Sequence, residues 1–234
     1  MAVPLLELQA ADTMADQLRH RRGNLVERDQ LQATKNDLIR WDQALQTIRK
    51  RLRELGEEIE QAEQRSEAID TKVIRLQAQL RTVISPREAE ALQAEIAGLG
   101  RERSEQDDVE LAALEEQARL DDELTSLLSQ EETLRDAFLG ADAALSAAQA
   151  DIDAELGRVE QRLSGLRDAV DRKVLKRYDK LRDQHLVAAA TLSGSRCDGC
   201  HLDLSPGEID EIRAVASAAE GVAECPQCSR LLVV

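Results

Sequence analysis

All four cysteines of this 234-residue chain stand in two Cys-x-x-Cys pairs near its end. Cys197 and Cys200 form the first pair, and Cys225 and Cys228 form the second pair after a spacer of twenty-four residues. Cysteines spaced i, i+3 place two sulfurs on one metal ion from a tight turn, and zinc binds four thiolates in a tetrahedron. The pattern therefore predicts one structural Zn²⁺ per chain, with no coordination position open for water or substrate.

Three other kinds of site use the same residue types. The segment CDGCH, Cys197 to His201, matches the pattern of covalent haem attachment, but that chemistry requires export and leaves the second cysteine pair unexplained. A redox dithiol would use one pair, and a second pair close by argues against it. An iron centre with four thiolates fits the spacing as well as zinc does. We expect His201 to be a surface residue beside the ligands.

The spacer between the pairs predicts a short helix. Ser205 is placed to cap it, Pro206 suits its first position, and Glu208 completes an S-x-x-E capping box. Ile209, Ile212 and Val215 would form its apolar face. The segments LVAAATL before the first pair and RLLVV after the second are typical of short strands. Zinc would stabilise an apolar set too small to fold without it.

The rest of the chain has the composition of long helices. Charged residues make up 33 % of the whole chain and aromatic residues 1 %. A layered enzyme core, in contrast, usually relies on bulky aromatic rings. From Leu31 to Val83, fourteen of the sixteen a and d positions of successive heptads are apolar. Such sustained heptads predict a coiled-coil helix.

The first coiled-coil arm ends at Pro86, which is excluded from a helix interior but suits its first position. Ser85 and Glu88 repeat the capping-box pattern, so the chain turns back and the two arms run antiparallel. Facing residues then have numbers that sum to roughly 171, which places Arg101 opposite Asp70. Residues 60–67 and 103–110 lack a good apolar seam, which indicates either a bend or an ordinary lapse in the heptads.

These elements give a mainly α architecture: a long antiparallel coiled-coil hairpin followed by a small zinc ribbon of short strands and one short helix. The hairpin domain would span residues 1–186, with a helix break near 22–24, the turn near 84–87 and a basic segment at 167–186. We call this basic segment the neck. The ribbon would span residues 187–234.

Net charge restricts the partners. A formal charge of −15 repels nucleic acid on average, so contact with nucleic acid needs a local basic surface. No apolar run is long enough to span a membrane, and the segment MAVPLLELQAAD lacks the features of a signal peptide. We therefore expect a cytoplasmic protein without a membrane partner, in which reduced thiols favour metal over disulfides.

The neck is the local basic surface. Its residues 167–182, RDAVDRKVLKRYDKLR, include seven basic residues and three acidic ones. The simpler alternative is a solvated helix face with internal ion pairs. As the surface that binds nucleic acid or a protein partner, we select the following residues: Arg172, Lys173, Lys176, Arg177, Tyr178, Lys180 and Arg182.

The sequence resembles a bacterial family of coiled-coil hairpin proteins that end in a four-cysteine (C4-type) zinc ribbon. The resemblance lies in LLELQAAD, SPREAEALQAEI, YDKLR, GSRCDGCHLDLSPGEI and CPQCSRLLV, and it extends over essentially the whole chain. It implies a non-enzymatic protein that binds nucleic acid or transcription-related partners.

Two functions follow as hypotheses. The first is a zinc-ribbon interaction protein that regulates bacterial gene expression by associating with RNA or DNA through the neck and ribbon. The second is a coiled-coil scaffold or chaperone-like adaptor that binds a protein partner without nucleic acid. Exposed leucines such as Leu111 and Leu175 would also allow a homodimer through the coiled coil. An enzyme is disfavoured, because the chain has three histidines and no glycine-rich phosphate-binding motif.

Overall fold

The computed structural model describes residues 2–218 and 222–234. Within these residues the chain forms five helices and four short strands. The helices are α1 (Ala2–Gly23), α2 (Val26–Leu80), α3 (Pro86–Ala169), α4 (Arg172–Gln184) and α5 (Pro206–Ala218), and the strands are β1 (Ala189–Ser193), β2 (Arg196–Cys197), β3 (Val222–Glu224) and β4 (Leu231–Val233). The fold is thus a long helical hairpin with a small C-terminal sheet, as predicted.

The chain divides into two compact units. The first, which we call the ribbon unit, comprises Met1–Gln30 and Asp142–Val234, and the second, the coiled-coil unit, comprises Leu31–Ala141. The boundary differs from the predicted domain boundary at residue 186, because α1, the end of α3 and α4 pack in the same unit as the strands. None of the described helices is both long and apolar enough to cross a membrane.

In the coiled-coil unit, α2 packs against α3 through the predicted heptad positions. Leu45, Ile48 and Leu55 of α2 are buried, and Ile48 and Leu55 form one cluster with Ala113 and Leu120 of α3. Both helices are continuous through 60–67 and 103–110. Small residues such as Ala62 are buried at that level.

Ion pairs between these two helices agree with the predicted register to within a few residues, although the predicted pairing of Arg101 with Asp70 was wrong. Asp70 accepts hydrogen bonds from Arg103, with Nη1 at 2.6 Å from Oδ2, and not from Arg101. Arg51 binds Glu116 through two hydrogen bonds of 2.8 and 3.1 Å. An arginine side chain reaches about one helical turn along its neighbour, roughly 5 Å. A register counted from the turn therefore predicts partners to within a few residues.

The four strands form one sheet in the order β2-β1-β4-β3. Strands β1 and β4 pair in parallel, whereas β1–β2 and β3–β4 are antiparallel. The sequence predicted β1 and β4 but missed β2 and β3, because two or three residues are too few to show an alternating pattern. This sheet carries the cysteine pairs.

Candidate metal centre and neck surface

The structure brings the four cysteine sulfurs together. Each of the two cysteine pairs occupies a turn: Cys197 ends β2 and Cys200 follows it, whereas Cys225 follows β3 and Cys228 precedes β4. All four Sγ atoms lie within 4.8 Å of one another. A tetrahedral zinc with Zn–S bonds of about 2.3 Å separates its sulfurs by roughly 3.8 Å. The donor set and its spacing fit one structural zinc ion.

The two turns have the same backbone design. His201 N donates to Cys197 O at 2.7 Å, and Ser229 N donates to Cys225 O at 2.8 Å. His201 and Ser229 both have φ of 61°, in the left-handed region that few non-glycine residues adopt. His201 is exposed and outside the ligand cluster. The role of His201 is therefore to close the turn through its backbone. The match of CDGCH to the haem-attachment pattern is incidental.

Burial keeps part of the thiol set protonated when no metal is bound. It raises the pKa of Cys197, and it raises the pKa of Cys225 to about 12. Burial also acts to raise the pKa of Cys228, but hydrogen bonds from the Arg230 backbone and side chain, together with those of Cys225 and Cys200, outweigh it, and the pKa is lowered. Zinc binding must displace the remaining thiol protons, so zinc affinity is expected to fall as the solution becomes more acidic.

Close packing supports the first turn. A Cβ atom at Gly199 would lie 2.8 Å from Cδ of Arg230 and 3.1 Å from Cβ of Ala190, so this position requires glycine. Arg230 is itself held by a 2.8 Å hydrogen bond from Nε to the carbonyl oxygen of Val187. The metal turn is thereby packed directly on β1 and the segment before β4.

Helix α5 begins with the capping box that the sequence predicted. Ser205 N donates to Glu208 Oε2 at 2.7 Å, and Glu208 N donates to Ser205 Oγ at 3.4 Å. Ile209 and Ile212 pack on the cluster that contains the cysteines. Val215 was expected on the same face, but it is half exposed and lies outside that cluster.

Most of the neck forms a separate helix, which corrects its predicted place in the coiled-coil hairpin. Helix α3 ends at Ala169, and α4 begins at Arg172. Asp171 caps α4 by accepting hydrogen bonds from Lys173 N at 2.7 Å and Val174 N at 3.4 Å. Short side chains with an acceptor oxygen satisfy the free N–H groups of a helix start. The break lets α4 bury Val174 and Tyr178 within the ribbon unit.

The structure divides the seven predicted neck residues into two groups. Tyr178 is fully buried, and its hydroxyl donates to Asp12 Oδ2 at 2.6 Å, so it does not belong to an exposed binding surface. Arg182 is mostly buried and pairs with Asp16. Arg177 is exposed but pairs with Glu224. These side chains contribute to internal packing and ion pairing.

The other four neck cations lie on one exposed face of α4. Arg172, Lys176 and Lys180 follow one another at intervals of four residues, and Lys173 lies beside them. Within the described residues, none of the four is in an ion pair with an acidic side chain. We call these four side chains the basic face. The buried residues Val174 and Tyr178 lie on the opposite side of the helix.

Comparison with known proteins identifies the chain. Residues 8–186 match the family described as the CT398-like coiled coil hairpin domain. The chain belongs to this family. In addition, residues 196–232 match the C4-type zinc ribbon domain, and this range includes all four cysteines. The family and the zinc prediction are both confirmed.

Relatives of this CT398-like protein occur in Mycobacterium and Chlamydia. It is 24% identical over 230 residues to a Mycobacterium tuberculosis (strain H37Rv) protein called Uncharacterized protein Rv2229c, across 98% of this chain and 93% of that protein. It is similar to a Mycobacterium smegmatis structure with a TM-score of 0.79 at 23% identity, covering 99% of this chain and 96% of the other. For CT398 from Chlamydia trachomatis the TM-score is 0.80 at 18% identity, with the same coverage. These structures support the fold.

In this CT398-like hairpin protein, α1 completes the core of the ribbon unit, which sequence reasoning missed. Leu5 and Leu8 are fully buried against Tyr178, Ala188 and Leu231. Leu5 and Leu8 lie outside the heptad phase of the first arm, and that mismatch was the available signal. Helix α1 thus joins the neck to the sheet.

Gln9 is the polar link between α1 and the sheet. Its Oε1 accepts hydrogen bonds from Ala188 N at 2.6 Å and Ala189 N at 3.1 Å, and the glutamine is buried. Replacing Gln9 with Leu would leave two buried N–H groups without this acceptor. Each such loss costs about 1–3 kcal/mol. We expect Gln9→Leu to lower the free energy of unfolding of the ribbon unit by about 2–6 kcal/mol.

Urea denaturation measures the change in the free energy of unfolding. Amide hydrogen exchange of the β1 residues shows whether the change lies in the ribbon unit. The control is Gln17→Leu, because Gln17 is exposed on the same helix and should leave the unfolding free energy within about 0.5 kcal/mol. Equal stability of the two variants would show that Gln9 does not hold α1 on the sheet.

Proposed function

We propose that this chain is a non-enzymatic, nucleic-acid-associated regulator of gene expression that acts in the bacterial cytoplasm. The single observation that carries the proposal is the basic face of α4, with Arg172, Lys173, Lys176 and Lys180 exposed together on a protein of net charge −15. An unmatched cluster of cations on an otherwise acidic chain favours a polyanionic partner.

Helix electrostatics supports this proposal. Arg172 and Lys173 lie in the first turn of α4, which contains no acidic side chain. The helix macrodipole already places partial positive charge at that end, and basic side chains there cost a few tenths of a kcal/mol each. The arrangement is therefore unfavourable for helix stability, and because the Asp171 carboxylate already accepts hydrogen bonds from the free N–H groups there, the positive potential offered to a phosphate comes from the Arg172 and Lys173 side chains.

The remainder of the ribbon unit limits the strength of the contact. Acidic side chains such as Glu208, Glu211 and Glu224 lie near Arg177, on the ribbon side of α4. Tyr178 is buried and offers no ring for base stacking. Binding would then depend on phosphates and vary little with sequence. Four phosphate contacts correspond to a slope of log affinity against log salt of about −3 to −4.

Charge reversal on the basic face tests the nucleic-acid proposal. We expect the triple variant Lys173→Glu, Lys176→Glu, Lys180→Glu to lower affinity for a labelled RNA hairpin or DNA duplex at least about tenfold. The slope of log affinity against log salt should also become shallower by about three. Fluorescence anisotropy across a salt series gives both quantities. The matched control reverses Lys35 and Lys72 of the coiled-coil unit, which are exposed lysines outside α4. Equal affinity of the variant and the control would contradict the proposal.

A second candidate function is a protein-binding scaffold or adaptor. It is favoured by large apolar side chains that the coiled-coil unit leaves exposed, among them Leu111, Leu128 and Leu139. Affinity purification with and without nuclease separates the two functions. A protein partner that survives nuclease treatment supports the adaptor, and one that disappears supports association through nucleic acid.

The metal site supports a non-enzymatic role in either case. Four thiolates occupy every position of tetrahedral zinc and leave none for an activated water molecule. Among the residues that the structure describes, the four cysteines are the one cluster suited to holding a metal. We therefore assign the zinc to folding of the ribbon.

A further inference from the structure

The coiled-coil unit contains an open apolar groove that its own packing leaves unfilled. Leu38 and Trp41 of α2 line it together with Phe138 and Leu139 of α3, and its volume is about 440 Å³. The Trp41 indole Nε1 donates to the carbonyl oxygen of Leu127 at 2.8 Å, which holds the ring in place. Two of the three aromatic residues of the chain therefore meet at one partly exposed site.

The apolar surface continues from the groove along the outer side of α3. Leu128 and Leu139 are 41% and 61% exposed, and with Glu132 and Arg135 they follow the i, i+4, i+7, i+11 spacing of one helix face. Eleven residues span about 16 Å of helix. That length matches about three turns of an α-helix lying alongside.

Carboxylates surround the apolar surface. Asp42 lies at the groove, and Glu131, Glu132 and Asp136 line its continuation. Among the described residues that line this surface, Arg135 is the one basic residue, and it pairs with Glu131 at 2.7 Å. We call these four carboxylates the acidic rim. The acidic rim carries excess negative charge next to the exposed Leu128 and Leu139.

We propose that this groove binds one amphipathic helix of a protein partner, with apolar residues facing Trp41 and Phe138 and lysines or arginines facing the acidic rim. The inference rests on the second candidate function and specifies the chemistry of its partner. Helices that bind grooves supply apolar anchors at i, i+3, i+4 and i+7, and complementary charge sets their orientation. A second copy of this chain fits poorly, because a two-fold contact would bring the acidic rims together.

The test uses the fluorescence of Trp41, the only tryptophan in the chain. The probe is a 14-residue synthetic peptide without tryptophan that has leucines on one helical face and lysines on its flanks. Two matched peptides replace the lysines with glutamates or scramble the leucine positions. We expect the lysine peptide to shift the Trp41 emission, to bind at least about tenfold more tightly than either control, and to weaken with salt.

Variants locate the binding to the groove. Leu139→Glu should lower affinity for the lysine peptide at least tenfold, and Asp136→Lys should lower it and reduce its salt dependence. Leu111→Glu is the matched control, because Leu111 is 56% exposed on the same helix and does not line the groove. Unchanged thermal unfolding of all three variants shows that the coiled coil is intact.

Several results would overturn the assignment. Binding of the glutamate or scrambled peptide as tightly as the lysine peptide would do so, as would equal loss in Leu139→Glu and Leu111→Glu. Sedimentation that shows a dimer lost in Leu139→Glu would assign the groove to a second copy. If Leu139→Glu still retains its protein partner after nuclease treatment, protein binding stands and the groove assignment fails. Peptide binding without a nuclease-resistant partner would leave the groove chemistry intact but reject the adaptor function.

Discussion

Removal of zinc is expected to unfold the ribbon and to release α1 from it, while residues 31–141 stay helical. The apparent binding free energy of a structural zinc site is on the order of 10 kcal/mol, comparable to the ~5–15 kcal/mol net stability of a whole domain. The buried apolar cluster at the metal turns combines small residues such as Ala190 and Ala223 with three larger side chains, Leu204, Ile212 and Leu232. A core of this size does not replace the metal.

Cys225→Ser provides the genetic counterpart of chelation. We expect the variant to bind less than one zinc per chain and to lose amide-exchange protection at Leu5 and Leu8, whose side chains pack against the sheet. Circular dichroism should show that most of the helical signal remains. His201→Asn is the control, because asparagine tolerates the left-handed backbone conformation and His201 lies outside the ligand cluster. Loss of zinc in His201→Asn, or full protection of α1 in Cys225→Ser, would contradict the assignment.

Tyr178→Ala is expected to lower the free energy of unfolding of the ribbon unit by about 3–5 kcal/mol, as is typical of removing a buried aromatic ring. Among the residues that the structure describes, Tyr178 is the largest fully buried side chain, and it packs with residues of α1, the end of α3 and the sheet. Tyr178→Phe keeps the ring but removes the hydrogen bond to Asp12, so a smaller loss of about 1–2 kcal/mol should follow. Chemical denaturation monitored by circular dichroism measures both losses.

The same tyrosine predicts a dependence on alkaline pH. Burial first, and then the hydrogen bond to Asp12, raise the pKa of Tyr178 above its ordinary value. The folded protein therefore holds the phenol proton at pH values where the unfolded chain releases it, and stability falls as pH rises above about 10. Tyr178→Phe should lack this part of the decline. Lys176→Ala, an exposed change on the same helix, should alter stability by less than about 0.5 kcal/mol.

If Tyr178→Ala were as stable as Lys176→Ala, Tyr178 would not be a core residue. It would then belong to the binding surface that the sequence predicted. In that case Tyr178→Ala would also weaken nucleic-acid binding, because base stacking on an aromatic ring contributes about 1–3 kcal/mol per base. We expect instead that Tyr178→Phe binds nucleic acid with unchanged affinity, since the hydroxyl faces Asp12 inside the protein.

Features that depend on neighbours in the chain were accessible from the sequence. The Cys-x-x-Cys spacing specifies two sulfurs per turn, and the Ser205 to Glu208 capping box closes within four residues. The heptads from Leu31 specify which face of α2 is buried. Each of these patterns depends on residues that are close to one another in the sequence. The hairpin, the start of α5 and the zinc site could therefore be predicted.

Features that depend on distant residues required the tertiary structure. Gln9 bonds to Ala188 and Ala189 across almost the whole chain, and nothing near Gln9 in the sequence identifies that acceptor role. Tyr178 looked like a binding residue because its neighbours are basic, and burial by α1 reversed that interpretation. The break between α3 and α4 has a local cause, which is the cap at Asp171. Aspartate is also common on the solvated face of a coiled coil, so Asp171 alone does not predict a helix start.

The sequence by itself determined the kind of protein: a coiled-coil hairpin, a four-thiolate zinc site and an acidic chain with one basic segment. Tertiary packing decided which surfaces remain available. It buried Tyr178 and engaged Arg182, left four cations exposed on α4, and gathered Trp41 and Phe138 at an unfilled groove. The physical reason is that spacing and composition fix which groups are present, whereas exposure depends on which other elements of the fold cover them.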